Sequence, residues 1–286
     1  MVRRRIEIAL IVLCAAAVSL LIFPSACRQV PEETLNNNAK ANGEETRNAS
    51  LDLATDAAAA WEQTPRTLER MRTSAGMFDR AFEYSDTQTY DNLWKAARSC
   101  AWLAEYGGDS VERERYTRDG LTYANTALKE NSDGVEAIFY HGVLAGFLGD
   151  LDNDYGLDAV STIEKDMTRL IDAEQDIAHG GPWRVMGVLQ LRAPGPPVSI
   201  GSLRNGKKNI EKALEKAPEW PENQLYMAEA EFNWAEDKDK PEYKDKAVER
   251  LNKYLIGPDA KSPAGIETEF AEWQKKAQSL MEEYAS

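Results

Sequence analysis

The chain has 286 residues, with 34 Lys+Arg against 48 Asp+Glu for a formal charge of −14, and hydrophobic residues make up 43 %. That length predicts one or two domains of roughly 100–200 residues and a sizeable core, and the composition excludes wholesale disorder and a multi-span membrane protein. A net negative chain repels polyanions, so nucleic acid is not an expected partner. Two histidines, His141 and His179, are too few for a His-rich metal site or His-based catalysis.

The N-terminus reads as an export signal. Arg3-Arg4-Arg5 precede an apolar run from Ile8 to Phe23, and Pro24-Ser25-Ala26-Cys27 follow. Small residues directly before a cysteine resemble the bacterial lipobox, in which that thiol is acylated; Pro24 departs from it, standing where Leu, Val or Ile is usual. Simple cleavage and an uncleaved single-span anchor remain as alternatives, although the run is slightly short for a span. On the lipoprotein reading, residues 1–26 are a signal peptide and Cys27 is lipidated. The chain then faces the periplasm in the cell envelope, held by several acyl chains where one would hold only marginally. Cys14 leaves with the signal and Cys27 carries lipid, so Cys100 stands alone and no internal disulfide is expected. Residues 27–49 hold Pro31, Asn36-Asn37-Asn38, Gly43 and scattered charges with almost nothing apolar, the composition of a flexible tether.

From residue 50 to 286 the pattern is helical, with apolar residues at three- and four-residue spacing and no convincing period-2 stretch. Gly107-Gly108, Gly180-Gly181-Pro182 and Gly257-Pro258 divide it into helix pairs, and the pairs repeat. Gly120, Ala124 and Ala127 give the small-residue spacing of a second helix. Val135 to Gly142, running on to Gly149-Asp150, is similar without gaps to the first helix of a tetratricopeptide repeat. Trp183 then leads Gly187 as that repeat's Trp leads its small residue. Gly206, Ile210, Ala213 and Pro218 follow as a second helix; Ala228 supplies the small residue of the next pair, and Ala247 and Leu251 open its second helix. Small residues are required there because helix axes 8–10 Å apart leave no room for a long side chain. Two places depart from the pattern: Arg98 stands where a small residue is expected, and residues 157–178 fit poorly. The expected fold is an all-α helical-hairpin solenoid of four or five pairs, capped by a helix from about Ala264 to Tyr284.

Counting along these registers puts Trp102, Leu103, Phe139, Val143, Phe147, Val188, Leu191, Leu225 and Phe232 on the concave face, where they outnumber Lys95, Arg184 and Arg192. Nine such side chains at about 2 kcal/mol each make roughly 18 kcal/mol if buried, more than a domain's net stability of about 5–15 kcal/mol. Such a face requires a cover: an apolar ligand, a partner, or another part of the chain. The competing reading is that the register slips by one and these residues are core.

Pro194-Gly195-Pro196-Pro197, within a long stiff insertion from Arg192 to Ser202, reads equally as a ligand-path lining or as a rigid brace. Asp150, Asp152 and Asp154 begin like a calcium loop, but Tyr155 and Ser161 stand where Gly and Glu are needed, so an acidic turn is expected. No nucleotide loop, nucleophile elbow or metal-spaced cluster is legible. The expectation is therefore a non-enzyme without catalytic residues, cofactor or metal.

His179-Gly180-Gly181-Pro182-Trp183-Arg184-Val185-Met186-Gly187 is followed by Arg192 to Gly201, and then by Pro221-Glu222-Asn223 with Ala228-Glu229-Ala230. Together with Leu93-Trp94-Lys95-Ala96-Ala97-Arg98 and the lipoprotein-like start, these resemble the T component associated with TRAP (tripartite ATP-independent periplasmic) transporters. The resemblance implies a periplasm-facing helical lipoprotein that assembles as a homotrimer, with an apolar path through each protomer. It also implies pairing with a periplasmic solute-binding protein and transport of a hydrophobic small molecule. The alternative function is a general scaffold for envelope proteins with no small-molecule ligand.

Overall fold

The computed structural model describes residues 30, 32–35 and 44–284. Eleven α-helices make up the described fold: α1 (Glu44–Glu62), α2 (Leu68–Ala81), α3 (Tyr90–Tyr106), α4 (Ser110–Glu130), α5 (Val135–Leu151), α6 (Gly156–Asp172), α7 (Gly181–Arg192), α8 (Leu203–Lys216), α9 (Pro221–Lys238), α10 (Pro241–Leu251) and α11 (Glu267–Tyr284). They pack as five hairpins, α1/α2 to α9/α10, followed by α11. This is an all-α helical-hairpin solenoid, and no strand occurs among the described residues. The odd-numbered helices α1, α3, α5, α7 and α9 each touch the next and form an inner row.

Local chemistry starts the helices where they are found. The side chains of Thr67, Thr89, Asp109 and Ser202 accept hydrogen bonds from backbone N–H groups in the first turns of α2, α3, α4 and α8. Proline opens α7, α9 and α10, where its missing N–H costs nothing. The small-residue positions behave as their spacing requires. A Cβ on Gly142 would meet Met167 at 2.5 Å, and one on Gly187 would meet Ile210 at 2.5 Å and the Gly206 carbonyl at 3.0 Å. Gly180, which opens α7, has φ of +77°, a conformation that a side chain opposes. The stretch before it, where the repeat pattern fails, holds Glu174, Ala178 and His179 with positive φ as well.

Cys27 and the expected signal peptide lie outside the described residues. Part of the expected tether does not hang free. Val30 is buried in the core of the first hairpins, the Leu35 amide donates to Thr126 Oγ1 at 3.1 Å, and Lys129 of α4 donates to Thr34 Oγ1 at 3.3 Å. Val30 and Leu35 are aliphatic residues in an otherwise polar stretch, and burying them offsets the ordering entropy of the short strap they anchor. Helix α1 begins at Glu44, ahead of the expected boundary at 50. No helix of the described residues is long and apolar enough to cross a membrane.

Two core clusters bear on the inner row. One joins α5, α6 and α7 through Ile138, Phe139, Ile163, Met167, Leu170 and Met186. The other seats α11 on α9, α10 and the π-helical turn Asn252–Ile256 through Leu225, Phe232, Leu255, Phe270 and Trp273. The N-terminal end of α11 also reaches back to the first hairpins. Arg66, between α1 and α2, donates to Glu269 at 2.6 Å; the Trp102 indole of α3 donates to the same Glu269 oxygen at 2.9 Å; Thr268 donates to the Arg66 carbonyl, at 2.5 Å. The last helix thus ties the end of the solenoid to its beginning.

Candidate functional site

The nine concave residues separate into two groups. Val143, Phe147, Val188 and Leu191 are half-buried. Trp102, Leu103, Phe139, Leu225 and Phe232 are buried, and an open apolar face does not include them. Each has a physical reason. Leu103 is fully buried in the core between the first hairpins. Phe139 is wedged between helices, its ring edge-on to Tyr140 and pressed against Gly181 at the start of α7. Leu225 and Phe232 lie beneath α11, with the Tyr284 ring stacked on Phe232 at 5.0 Å. Trp102 is held under the start of α11 by Glu269. The cover demanded by the apolar count is therefore, over this part of the row, another part of the same chain.

Charge lines the covered portion. Arg184, 7 % exposed, donates to the Ala178 and His179 carbonyls and to Asn223 Oδ1, and pairs with Glu222 at 3.0 Å. Asn223, fully buried, returns its amide to the carbonyls of His179, Ala213 and Ala217. Arg192 holds Glu229 in a bidentate pair at 2.9 and 2.8 Å, Arg250 holds Glu231 likewise at 2.9 Å through both arms, and Lys276 of α11 reaches Glu105 of α3 at 3.0 Å. Burial pushes the Glu222 carboxyl up against the pull of Arg184, and pushes up the Tyr226 hydroxyl. Burial opposes the charge of Arg192, and Glu229 overrides it to raise its pKa. Paired this densely, the cations and carboxylates satisfy one another. Residues of the sequence signature, Arg184 and Asn223, are therefore a structural knot joining α7, α8 and α9. His179 stacks on Trp220 at 3.7 Å, and burial, helped by Arg184, lowers its pKa.

The other end of the row, where α1, α3 and α5 meet, is arranged differently. The Arg98 guanidinium carbon sits 4.1 Å from the Trp61 ring centroid and 5.0 Å from that of Trp94. Arg66 lies 4.7 Å from Trp61. Arg98 reaches a carboxylate only at 3.5 Å, from Glu62, whose side chain is 74 % exposed, and its Nε is buried with no hydrogen-bond partner. Desolvation, with repulsion from Arg66, lowers its pKa. The Tyr140 hydroxyl, pushed up to about 12 by burial, feels both guanidinium groups and remains a donor.

The proline insertion is tied down at its base only. Its base is closed by the Gly201 amide on the Pro194 carbonyl at 2.9 Å and the Ser202 amide on the Gln190 carbonyl at 2.8 Å, while Gly195, Pro196, Pro197 and Val198 stand exposed. Asp152 of the acidic turn is held by Arg118 at 3.1 Å and caps the Asp154 amide. His141 meets Asp166 at 2.6 Å across α5 and α6. Free Cys100 is buried, and burial raises its pKa well above the ordinary value.

Concave-position counting passed over Trp61, Arg66, Trp94 and Tyr140, together with the α11 residues Glu269 and Trp273. One signal pointed there: Arg98, a long cation at a position that packing reserves for a small residue. The fold is an all-α helical-hairpin solenoid whose last helix ties back to its first hairpins. No family model and no curated protein matches the chain.

Proposed function

We propose that this chain is a non-enzymatic envelope lipoprotein, an accessory to a TRAP-type transporter. It docks a periplasmic solute-binding protein and takes an apolar or amphipathic small molecule on the part of the inner row that α11 leaves uncovered. The observation that carries this reading is the division of the row. Val143 and Phe147 on α5, with Val188 on α7, remain half-exposed beside a row otherwise filled from within the chain. On this reading Cys27 carries the lipid, the membrane is reached through that anchor, the assembly is a homotrimer as the family resemblance implies, and no cofactor takes part. The burial of Phe139 and Phe232 favours docking over bulk carriage, because the uncovered lining is small.

Cross-linking the full chain in its native envelope, followed by mass spectrometry, is the direct test. Cross-links to a solute-binding protein are expected. Cross-links to assorted envelope proteins, with no binding protein among them, would support instead the scaffold reading that the buried phenylalanines also allow. Native mass spectrometry of the purified chain should show a small bound molecule that Phe147→Ala releases.

A further inference from the structure

Arg98 is a cation built into a site without a matching anion. The other buried guanidinium groups described above are answered by buried acceptors: Glu229 for Arg192, Glu231 for Arg250, Asn223 and two carbonyls for Arg184. Arg98 has only the distant oxygen of an exposed glutamate, and its buried Nε–H points at no acceptor. A buried donor left unmade costs about 1–3 kcal/mol, more when charged, so the chain carries a standing penalty at Arg98. Trp61 and Trp94 hold the guanidinium plane in place, and Arg66, itself paired with Glu269, lies over the same Trp61 ring. Immediately beside Arg98, α5 presents Tyr140, Val143 and Phe147, at i, i+3 and i+7, along one helix face.

We propose that the junction of α1, α3 and α5 binds a monocarboxylate with a short apolar body, its carboxylate on Arg98 and the Tyr140 hydroxyl and its body along Val143 and Phe147. The planar guanidinium matches a carboxylate better than a spherical anion, since two N–H donors can meet two oxygens. Glu62 is the internal stand-in: its side-chain oxygen occupies the outer edge of Arg98, weakly and from solvent, and a ligand carboxylate displaces it. The proposal rests on the functional reading above only in treating Val143 and Phe147 as ligand lining. The carboxylate position stands on Arg98 and the Tyr140 hydroxyl.

Hexanoate and its neutral counterpart hexanamide are suitable probes, titrated into the full chain in lipid nanodiscs and followed by saturation-transfer NMR. Hexanoate should bind at least about tenfold more tightly than hexanamide, as a charge-assisted hydrogen bond predicts. Arg98→Gln should abolish that preference while leaving hexanamide unchanged. Glu62→Gln, which removes the competing negative charge, should tighten hexanoate. Phe147→Ala should weaken both probes alike. Equal affinity for the two probes, hexanoate binding that survives Arg98→Gln, or a Glu62→Gln variant that loses hexanoate as Arg98→Gln does would each overturn the carboxylate site. Loss of both probes in Phe147→Ala with no effect of Arg98→Gln would sink this proposal yet leave the apolar lining standing. The cross-linking result tests the transporter reading independently of either.

Discussion

The two ends of the inner row are made from the same kind of helix, yet they meet water in opposite ways. Toward the C-terminus, α9 lies under α11, and its buried charges are answered within the chain: Arg184 by Glu222 and Asn223, Arg192 by Glu229, Arg250 by Glu231. Toward the N-terminus, Trp61, Trp94, Tyr140, Val143 and Phe147 pack against the core of the first hairpins yet stay half-buried, as does Arg98, whose Nε has no hydrogen-bond partner. A solenoid must close the stacking face of its last hairpin, and α11 does so here by lying along α9 and hooking onto Arg66 and Trp102. The chain supplies cover where stability requires it. What it leaves uncovered is the part still able to interact.

That contrast is breakable in order of size. Arg184→Ala should have the largest effect, costing about 3–5 kcal/mol, since it strands buried Glu222 and Asn223 together; chemical denaturation of the variant checks it, and a loss below 1 kcal/mol would mean the knot is not holding the closed end. Glu269→Ala should cost about 3 kcal/mol by leaving Arg66 and the Trp102 indole without their acceptor. Hydrogen exchange should then quicken in α11 and at Trp102 first, with α5 to α8 unaffected. Exchange rising evenly along the chain would show that α11 closes nothing in particular.

Arg98→Gln sharpens the comparison from the other side. The guanidinium it removes is desolvated and poorly paired, so unfolding free energy should change by less than about 1 kcal/mol, in contrast to the arginines of the closed end. The smallest effect is expected away from both ends, at the exposed pair of Arg72 on α2 and Glu112 at the start of α4. The Arg72 side chain, with the Gly108 amide, holds the Glu112 carboxyl down at about 2 against an ordinary 4.5. A carboxyl lowered in the folded state stabilises above its unfolded value and loses that contribution as pH falls through its folded one. The gap in thermal stability between the native chain and Arg72→Ala should therefore be present at pH 6 and shrink between about 4.5 and 2. A gap that widened on acidification would contradict the assignment.

Much of the architecture was legible in the amino-acid order. Gly120, Gly142, Gly187 and Gly206 mark helix crossings because only a missing Cβ lets the axes approach, and each is tightly enclosed. The capping helix was expected from about Ala264 to Tyr284 and is found from Glu267 to Tyr284. The docked strap at Val30 and Leu35 was not legible, because two aliphatic residues in a polar stretch carry no periodicity. The site was read only halfway. Repeat register placed Val143, Phe147, Val188 and Leu191 where they remain half-exposed, but it could not tell that Leu103 and Phe139 turn into the core, since a position one step around a helix rotates by about 100°.

The sequence by itself determined the helical pairs, their small-residue crossings and the apolar excess along one row, because helix periodicity and close packing are local constraints written every three or four residues. Tertiary structure alone decided what covers that row. Glu269 meets Arg66 and Trp102 across separations of 203 and 167 residues, and no local pattern encodes which distant segment will supply a buried charge with its partner, or that Arg98 will be left waiting for one.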